Sequence, residues 1–284
     1  MASQADERGW DLVIEPPQGW FALHLRDLWR YRDLTGLFVR RDFVASYKQT
    51  ILGPLWHIIQ PLLTTLMFTV VFGRIAGLPT DGVPQFLFYM AGTTVWSYFA
   101  QCLTRTSTTF IANAGIFGKV YFPRMVVPVS VVMSQLIGFA IQFAFFLAFY
   151  AVFWAKGAPI HPNWAVSLLP LLLVLMAGLG LGFGVIISSL TTKYRDLQVL
   201  VAFGVQLWMY ATPVIYPLST MGKYRWIIVA NPMTAIVETF RYGFFGSGTF
   251  SWVHLAYSAG FMLTLLVAGM AIFNRVERTF MDTV

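Results

Sequence analysis

The apolar segments of this 284-residue chain carry two kinds of side chain that could do chemistry, namely aromatic rings and neutral amides or hydroxyls. Sugar rings present C–H faces that stack on aromatic planes, and amides can hydrogen-bond sugar hydroxyls without holding them tightly. These side chains could therefore line a path for a neutral polymer, although aromatic belts at the membrane interface and helix packing explain many of the same residues. The set comprises Tyr89, Trp96, Tyr98, Phe99, Trp208, Tyr210 and Tyr216, with Gln60, Thr64, Thr65, Gln101, Gln135, Gln142 and Gln206.

The groups that usually drive transport or catalysis are missing from these segments. None of the six segments contains Asp, Glu, Lys or Arg, which argues against ion-coupled transport because such carriers keep ionisable groups near the membrane midplane. No phosphate-loop motif occurs, since Gly115–Val120 shares only a glycine and a lysine with it. No cluster of His, Cys and carboxylates has the spacing of metal ligands. Energy for any work must therefore come from another molecule.

Composition predicts an integral membrane protein. The chain is 57% hydrophobic and 11% charged, whereas soluble domains carry roughly a quarter of charged residues. Its single cysteine, Cys102, excludes an intrachain disulfide. The predicted fold is all-α, with six transmembrane helices, an N-terminal amphipathic interface helix and a re-entrant helical hairpin between the fifth and sixth spans. The six segments are Pro54–Gly73, Phe86–Leu103, Met125–Trp154, Trp164–Leu190, Leu197–Tyr216 and Val253–Asn274.

The basic residues predict the orientation. With a cytoplasmic N-terminus, 14 of the 19 Lys and Arg residues fall inside and 5 outside. This bias follows the positive-inside rule, so both termini are predicted to be cytoplasmic. The five outside residues are Arg74, Lys156, Lys223, Arg225 and Arg241.

Two regions do not fit a simple succession of spans. Trp20–Tyr47 places apolar residues near helical spacing among arginines, which is typical of a helix lying in the headgroup region, and a break is expected near Thr35-Gly36. The predicted domains are therefore a polar tail at 1–19, the interface helix at 20–49 and the transmembrane domain at 50–284. Pro217–Gly248 is too interrupted to cross and is divided at Asn231-Pro232, which favours a re-entrant hairpin over a long external loop.

Two smaller patterns predict packing inside the bundle. Glu238 and Arg241 stand three residues apart on the second hairpin helix. A structural ion pair is the simpler interpretation, and a role at the exit of a polar substrate is the more specific functional one. Four glycines alternate along the fourth span, which predicts close helix packing. They are Gly178, Gly180, Gly182 and Gly184.

Four sequence motifs occur in order along the chain. They are Tyr47–Trp56 (YKQTILGPLW) followed by Pro61, Asn113–Pro128 (NAGIFGKVYFPRMVVP), Tyr194–Leu197 (YRDL) and Asn231–Met233 (NPM). In these motifs the chain resembles ABC-2-type polysaccharide export permeases, the membrane subunits that export O-antigen, capsular polysaccharide and teichoic acid. The resemblance covers the chain from about residue 19 to its C-terminus, and the first two motifs are the more specific.

The resemblance implies a half-transporter without catalytic residues. Two copies would form the pore in a bacterial inner membrane, and two copies of a cytoplasmic ATPase, which binds the ATP and Mg²⁺, would drive it. The cytoplasmic turn Asn113–Arg124 would couple the two proteins through a short helix with an aromatic face, although a basic loop that only fixes topology explains it nearly as well. The coupling residues would be Asn113, Phe117, Lys119, Tyr121, Phe122 and Arg124.

The resemblance also implies a substrate and a path. The substrate would be a polyprenyl-diphosphate-linked polysaccharide, and the channel would lie between protomers along the first and fifth spans. Arg40, Arg41 and Lys48 would meet the diphosphate at the cytoplasmic face, although the positive-inside rule explains them equally. Polymer contacts would come from Tyr47, Trp56, Gln60, Trp208 and Tyr210, with Tyr89, Trp96 and Tyr98 behind them.

Two alternatives stay open at the level of the sequence. An ABC-2 permease for a small drug or lipid would use the same aromatic residues to form a hydrophobic binding pocket. A membrane-bound polyprenyl-sugar transferase would need a constellation of carboxylates or histidines at one face of the membrane. The acidic residues Asp81, Asp196, Glu238 and Asp282 are scattered, which disfavours the transferase.

Overall fold

The computed structural model of the protein describes residues 29–48, 50–117, 122–191 and 196–280. This part of the chain is helical and contains no β-strand, as the composition predicts. Short 3₁₀ turns at Gly53–Leu55, Trp164–Leu168 and Leu218–Tyr224 precede α2, α6 and α8, and a π-helical stretch at Thr69–Ile75 continues α2. The helices are α1 (Arg32–Tyr47), α2 (Trp56–Phe68), α3 (Gln85–Ser107), α4 (Thr109–Phe117), α5 (Val126–Ala155), α6 (Leu169–Thr191), α7 (Leu197–Tyr210), α8 (Arg225–Val229), α9 (Pro232–Phe245) and α10 (Trp252–Phe280).

Four helical stretches in the described residues are both long and apolar enough to cross a membrane. The second predicted span forms α3, which is long but less apolar because threonine, serine and glutamine interrupt its hydrophobic residues. The fifth forms α7, which stops at Tyr210 because Pro213 follows within one turn and cannot continue a helix. The four stretches are Gly53–Ile75, Val126–Ala155, Trp164–Thr191 and Trp252–Phe273.

The centre of the bundle is a layer of three helices, α3, α6 and α10, which we call the three-helix layer. Alternating glycines on α6 allow the other two helices to approach its backbone from opposite sides, as predicted. A Cβ atom built on Gly180 would lie 2.5 Å from Cys102 Cβ of α3, and one on Gly182 would lie 2.9 Å from Leu265 Cγ of α10. Gly180 and Gly184 face α3, and Gly178 and Gly182 face α10.

Helix α1 runs unbroken through Thr35 and Gly36, so the break predicted there is wrong. The turn comes earlier, at Tyr31, whose carbonyl accepts a 3.0 Å hydrogen bond from the amide of Thr35. Glycine inside a helix costs about 1 kcal/mol relative to alanine. This cost is offset because Leu34 and Phe38, on either side of it, pack on a buried apolar cluster of α4 and α5. The part of the predicted interface helix before residue 29 lies outside the described residues.

The segment between α7 and α10 folds as two helices divided at Asn231-Pro232, as predicted. Asn231 caps α9 by accepting a hydrogen bond from the amide of Met233 at 3.0 Å, and Pro232 occupies the first helical position. Gly246 ends α9 in the left-handed conformation, with a φ of 72°. Every residue of α9 except Tyr242 is buried, so this helix belongs to the interior of the bundle.

Asn231 should contribute measurably to stability. Its amide also donates to Thr212 Oγ1 at 2.8 Å, which ties α9 to the end of α7. We expect Asn231→Ala to lower the free energy of unfolding by about 1–2 kcal/mol, because it removes the cap and the bond to Thr212. Thermal melting of the detergent-purified protein would measure the loss. Asn231→Asp keeps the cap acceptor and should lose less; equal melting temperatures for both variants and wild type would contradict the assignment.

Glu238 and Arg241 of α9 form the predicted ion pair, with 3.7 Å between Arg241 Nη1 and Glu238 Oε1. Both side chains are buried. Arg241 also donates to the carbonyls of Pro213 at 2.5 Å and Val214 at 2.7 Å, and its guanidinium lies 3.6 Å from the ring centre of Phe88 on α3. The arginine therefore supplies donors to carbonyls of the non-helical segment after α7, where the backbone has no helical hydrogen-bond partners.

Candidate functional site

A groove of about 1010 Å³ lies between the end of α1 and helices α2, α3, α5 and α7. Trp56, Pro61 and Met67 contribute from α2, and Trp96 and Thr93 from α3. A hydrogen bond of 3.3 Å between the hydroxyls of Thr65 and Thr93 joins these two helices behind the groove. The lining is thus a mixture of aromatic rings and neutral polar groups, with apolar residues between them.

Five glutamines of the apolar segments converge on this groove from four helices. Gln142 is only 4% exposed, while Gln60 and Gln206 are exposed along the groove. Gln135 donates to Ser134 Oγ at 3.1 Å within its own helix. An amide both donates and accepts hydrogen bonds, so the groove can pair with hydroxyl groups in either sense. The five side chains are Gln60 of α2, Gln101 of α3, Gln135 and Gln142 of α5, and Gln206 of α7.

The groove begins where α1 meets α2, a place we call the mouth, formed by Asp42, Ser46, Tyr47, His57 and Arg105. The Tyr47 hydroxyl and His57 Nε2 share a short hydrogen bond that ties the end of α1 to the start of α2. Burial raises the pKa of the Tyr47 hydroxyl, and the nearby Arg105 guanidinium offsets part of that rise. The mouth therefore combines the guanidinium of Arg105, which has no carboxylate partner among the described residues, with the phenol of Tyr47 and the imidazole of His57, which can donate hydrogen bonds.

The predicted path residues divide between the groove and the core. Tyr47, Trp56, Gln60 and Trp96 line the groove. Trp208 packs behind it, with its ring edge-on to those of Trp96 at 6.2 Å, Phe99 at 5.2 Å and Phe183 at 5.0 Å. The remaining three lie outside the lining: Tyr89 and Tyr98 are buried in the main core, and Tyr210 is half-exposed at the end of α7.

The predicted basic residues have three different environments. Arg40 and Lys48 are exposed. Arg41 is held in place, with its Nη2 2.7 Å from Asp42 Oδ1 and 3.2 Å from Asn113 Oδ1. Its guanidinium also lies 4.6 Å from the ring centre of Phe38. Arg41 thus joins α1 to α4, while Arg40 and Lys48 remain accessible to an anion at the surface.

The predicted coupling residues are mostly buried within the chain. Asn113 on α4 bonds to the carbonyl of Thr109 at 3.0 Å as well as to Arg41. The rings of Phe117 and Phe122 pack on each other at 5.9 Å between centroids, and Arg124 lies 5.7 Å from the Phe117 ring centre. Both rings belong to the cluster under α1 and so fix this segment to the bundle. Lys119 and Tyr121 lie outside the described residues.

Sequence reasoning did not select Arg105 or His57 for the site, and it named all five glutamines as candidates for the path but only Gln60 as a polymer contact. A signal was present for the glutamines, because amides inside apolar spans are costly unless they have partners or a wet cavity. Arg105 looked like one more cytoplasmic charge, and only the approach of α1 to the end of α3 reveals that it faces the groove. In the described residues no group of three or more His, Cys, Asp or Glu side chains could hold a metal ion.

Most of the chain matches the model of a known protein family. Residues 34–245 match the family model described as "ABC-2 type transporter". The match runs from α1 to the end of α9, so it includes the groove and the mouth.

Curated relatives match most of the chain and are named for O-antigen export or polysialic acid transport. The chain is 30% identical over 253 residues to the O-antigen export system permease protein RfbA of Klebsiella pneumoniae, covering 88% of this chain and 94% of the relative. It is 27% identical to the protein of the same name from Myxococcus xanthus, covering 92% and 98%. It is also 24% identical to the polysialic acid transport protein KpsM of Escherichia coli, covering 86% and 93%.

Proposed function

The chain belongs to the ABC-2 type transporter family, and we propose that it is the permease subunit of an exporter driven by a separate ATPase. Its cargo would be a polyprenyl-diphosphate-linked polysaccharide of the O-antigen, capsule or teichoic-acid type, moved outward across a bacterial inner membrane. The observation that carries this proposal is the groove, where aromatic rings and five amides meet in a chain whose relatives are named for polysaccharide export. Such a lining suits a sugar polymer that must bind and be released.

We infer a topology of six crossings with both termini in the cytoplasm. In this arrangement α3 and α7 cross with the four longer apolar stretches, and α8 and α9 form the re-entrant hairpin at the outer side. The burial of α9 supports this, because a hairpin that enters and leaves on one side has its turn and helix ends at membrane depth, where they need protein around them. The domain boundaries would then be 1–19 for the tail, 20–49 for the interface helix and 50–284 for the membrane domain.

We propose that two copies form the channel, with α2 and α7 facing the second copy. The first span has only 6% of its most apolar stretch buried within the chain, against 50% for Trp164–Thr191. Helix α7 exposes Val199, Leu200, Phe203 and Leu207. A second copy related by a two-fold axis would place its own α2 and α7 opposite these and close the groove into a conduit.

The cytoplasmic side would hold the lipid carrier and the ATPase. Arg40 and Lys48, together with Arg105 at the mouth, would attract the diphosphate, since arginine and lysine are the common partners of phosphate groups. The ATPase, in two copies, would bind the ATP and Mg²⁺. It would contact the exposed side of α4, where Ile111 lies, because Phe110 and Phe117 pack the other side of this helix into the bundle.

Copurification tests the pairing with an ATPase. We expect this chain, expressed from its native operon and purified in mild detergent, to retain an ATP-hydrolysing subunit in equal amount. Ile111→Glu, which puts a charge on the exposed side of α4, should reduce that recovery at least roughly tenfold, because buried unpaired charge at a contact is strongly unfavourable.

The matched control is Ile227→Glu on α8, an exposed isoleucine at the predicted outer side. It should leave the recovery of the ATPase unchanged. Recovery of the chain alone, with no ATPase and no loss of surface polysaccharide on deletion, would contradict the proposed function. Resistance to a toxic compound, lost on deletion while the polysaccharide stays normal, would instead indicate a permease for a drug or lipid.

A further inference from the structure

We propose that the groove selects an uncharged glycan, and that Gln142 is a specificity-determining residue which reads sugar hydroxyls. This inference rests on the proposed function and narrows its substrate class. The named relatives leave the question open, because they include both O-antigen permeases and a polysialic acid transport protein, whose polymer is a polyanion.

Gln142 is the residue that points most directly to a ligand. It lies in the middle of α5, is 4% exposed and lines the groove. Its side-chain amide makes no hydrogen bond to any other residue that the structure describes. The amide atoms are not fully enclosed by protein, so they face the groove, where a polar ligand can replace water as their hydrogen-bond partner.

The other glutamines extend this pattern around the groove. Gln60, Gln101 and Gln206 likewise make no side-chain hydrogen bond within the described residues, and they project from α2, α3 and α7. Trp56 lies among them, is 45% exposed and offers an aromatic face to the C–H faces of sugar rings. A saccharide in the groove would therefore meet a stacking surface and amides without a protein partner on the same path.

The charges of the lining favour a neutral polymer. Of the lining residues that the structure describes, only Asp42 and Arg105 are charged at neutral pH, and both lie at the mouth. Asp42 is neutralised by Arg41, which leaves Arg105 to meet one anionic group. Beyond the mouth a polymer with a carboxylate on every sugar would find no cation in this described lining, and an unpaired charge at membrane depth is expensive. A two-fold related copy would repeat the same lining and would add no different charge.

The chemistry of the amide supports the same class. A sugar hydroxyl donates and accepts, and so does an amide, whereas a carboxylate only accepts. Selection of polyanions would be expected to use arginine or lysine along the path, since charge-assisted bonds are the stronger ones. The groove instead offers five glutamines and leaves its single arginine at the mouth.

The test compares two probes of equal length on the complex of this chain with its ATPase in lipid nanodiscs. The neutral probe is maltoheptaose and the anionic probe is hepta-galacturonate, and saturation-transfer NMR titrations measure both dissociation constants. We expect maltoheptaose to bind at least roughly tenfold more tightly. Gln142→Leu should weaken its binding roughly tenfold, while Gln198→Leu, a glutamine of α7 outside the groove lining, should leave it unchanged.

Gln206→Leu provides a second variant at an exposed position, should Gln142→Leu fail to fold, and should weaken maltoheptaose binding in the same direction. Tighter binding of hepta-galacturonate, or unchanged binding in both groove variants, would overturn the proposal. These outcomes are separate from the proposed function, because copurification of the ATPase and loss of surface polysaccharide on deletion do not depend on either probe.

Discussion

Replacement of Arg241 by leucine is expected to abolish most of the folded protein. The change leaves Glu238 buried without its cation and removes the donors to the carbonyls of Pro213 and Val214. Removing one partner of a buried ion pair costs about 3–5 kcal/mol, which is comparable with the whole stability of many domains. Size-exclusion chromatography in detergent should show aggregation, and any surviving fraction should melt at a lower temperature.

Two further variants separate the buried charge from a general effect of losing an arginine. Arg225→Leu removes an exposed arginine of α8 and should behave as wild type. Adding Glu238→Leu to Arg241→Leu should recover part of the loss, because the isolated carboxylate is then gone while the unpaired carbonyls remain. An Arg241→Leu protein as stable as wild type would show that the ion pair and the carbonyl bonds contribute nothing.

Replacement of Gly180 by leucine is expected to separate α6 from α3. The first added carbon would lie 2.5 Å from Cys102 Cβ, 3.2 Å from the amide nitrogen of Leu103 and 3.3 Å from the carbonyl oxygen of Phe99. Two of these neighbours are backbone atoms, which cannot rotate aside. Overpacking typically costs about 1–3 kcal/mol, and a contact with backbone should lie at or above the upper end. Loss of monodisperse protein after purification is the measurement.

Gly260 on α10 offers the matched control, because a Cβ atom there meets nothing within 4 Å. Gly260→Leu should be neutral or slightly stabilising, since leucine is a better helix former than glycine by almost 1 kcal/mol. If the two leucine variants behaved alike, close packing of the three-helix layer would not explain the glycine pattern.

Local pattern was enough to predict most helices, because membrane-length apolar runs are long and continuous. The predicted span Met125–Trp154 differs by one residue at each end from the observed stretch Val126–Ala155. The predicted span Trp164–Leu190 differs from Trp164–Thr191 by one residue, at its C-terminal end. The division at Asn231-Pro232 was equally accessible, since cap and proline chemistry act within a few residues. The break expected at Gly36 was wrong because tertiary packing on either side outweighs a single glycine.

The groove could be predicted only in part, because its composition is local but its assembly is not. The glutamines were visible as polar residues in apolar segments, yet nothing in their spacing says that four helices bring them together. Trp96 and Trp208 look alike in sequence, and both rings pack on Phe99, so only the assembled bundle shows that Trp96 borders the groove while Trp208 lies behind it against Phe183. The same limit applies to Phe117 and Phe122. Aromatic residues beside basic ones are equally compatible with a surface that binds a partner protein and with a surface that packs under α1.

The bond between Arg41 and Asn113 connects α4 to the groove through two side-chain contacts in series. Asn113 of α4 holds Arg41 of α1, and α1 ends at Tyr47, which holds His57 at the start of α2. Six residues separate Arg41 from Tyr47, so the two contacts lie about 9 Å apart along α1 at about 1.5 Å per residue. A displacement of α4 would therefore be transmitted over a single short stretch of helix to the mouth of the groove.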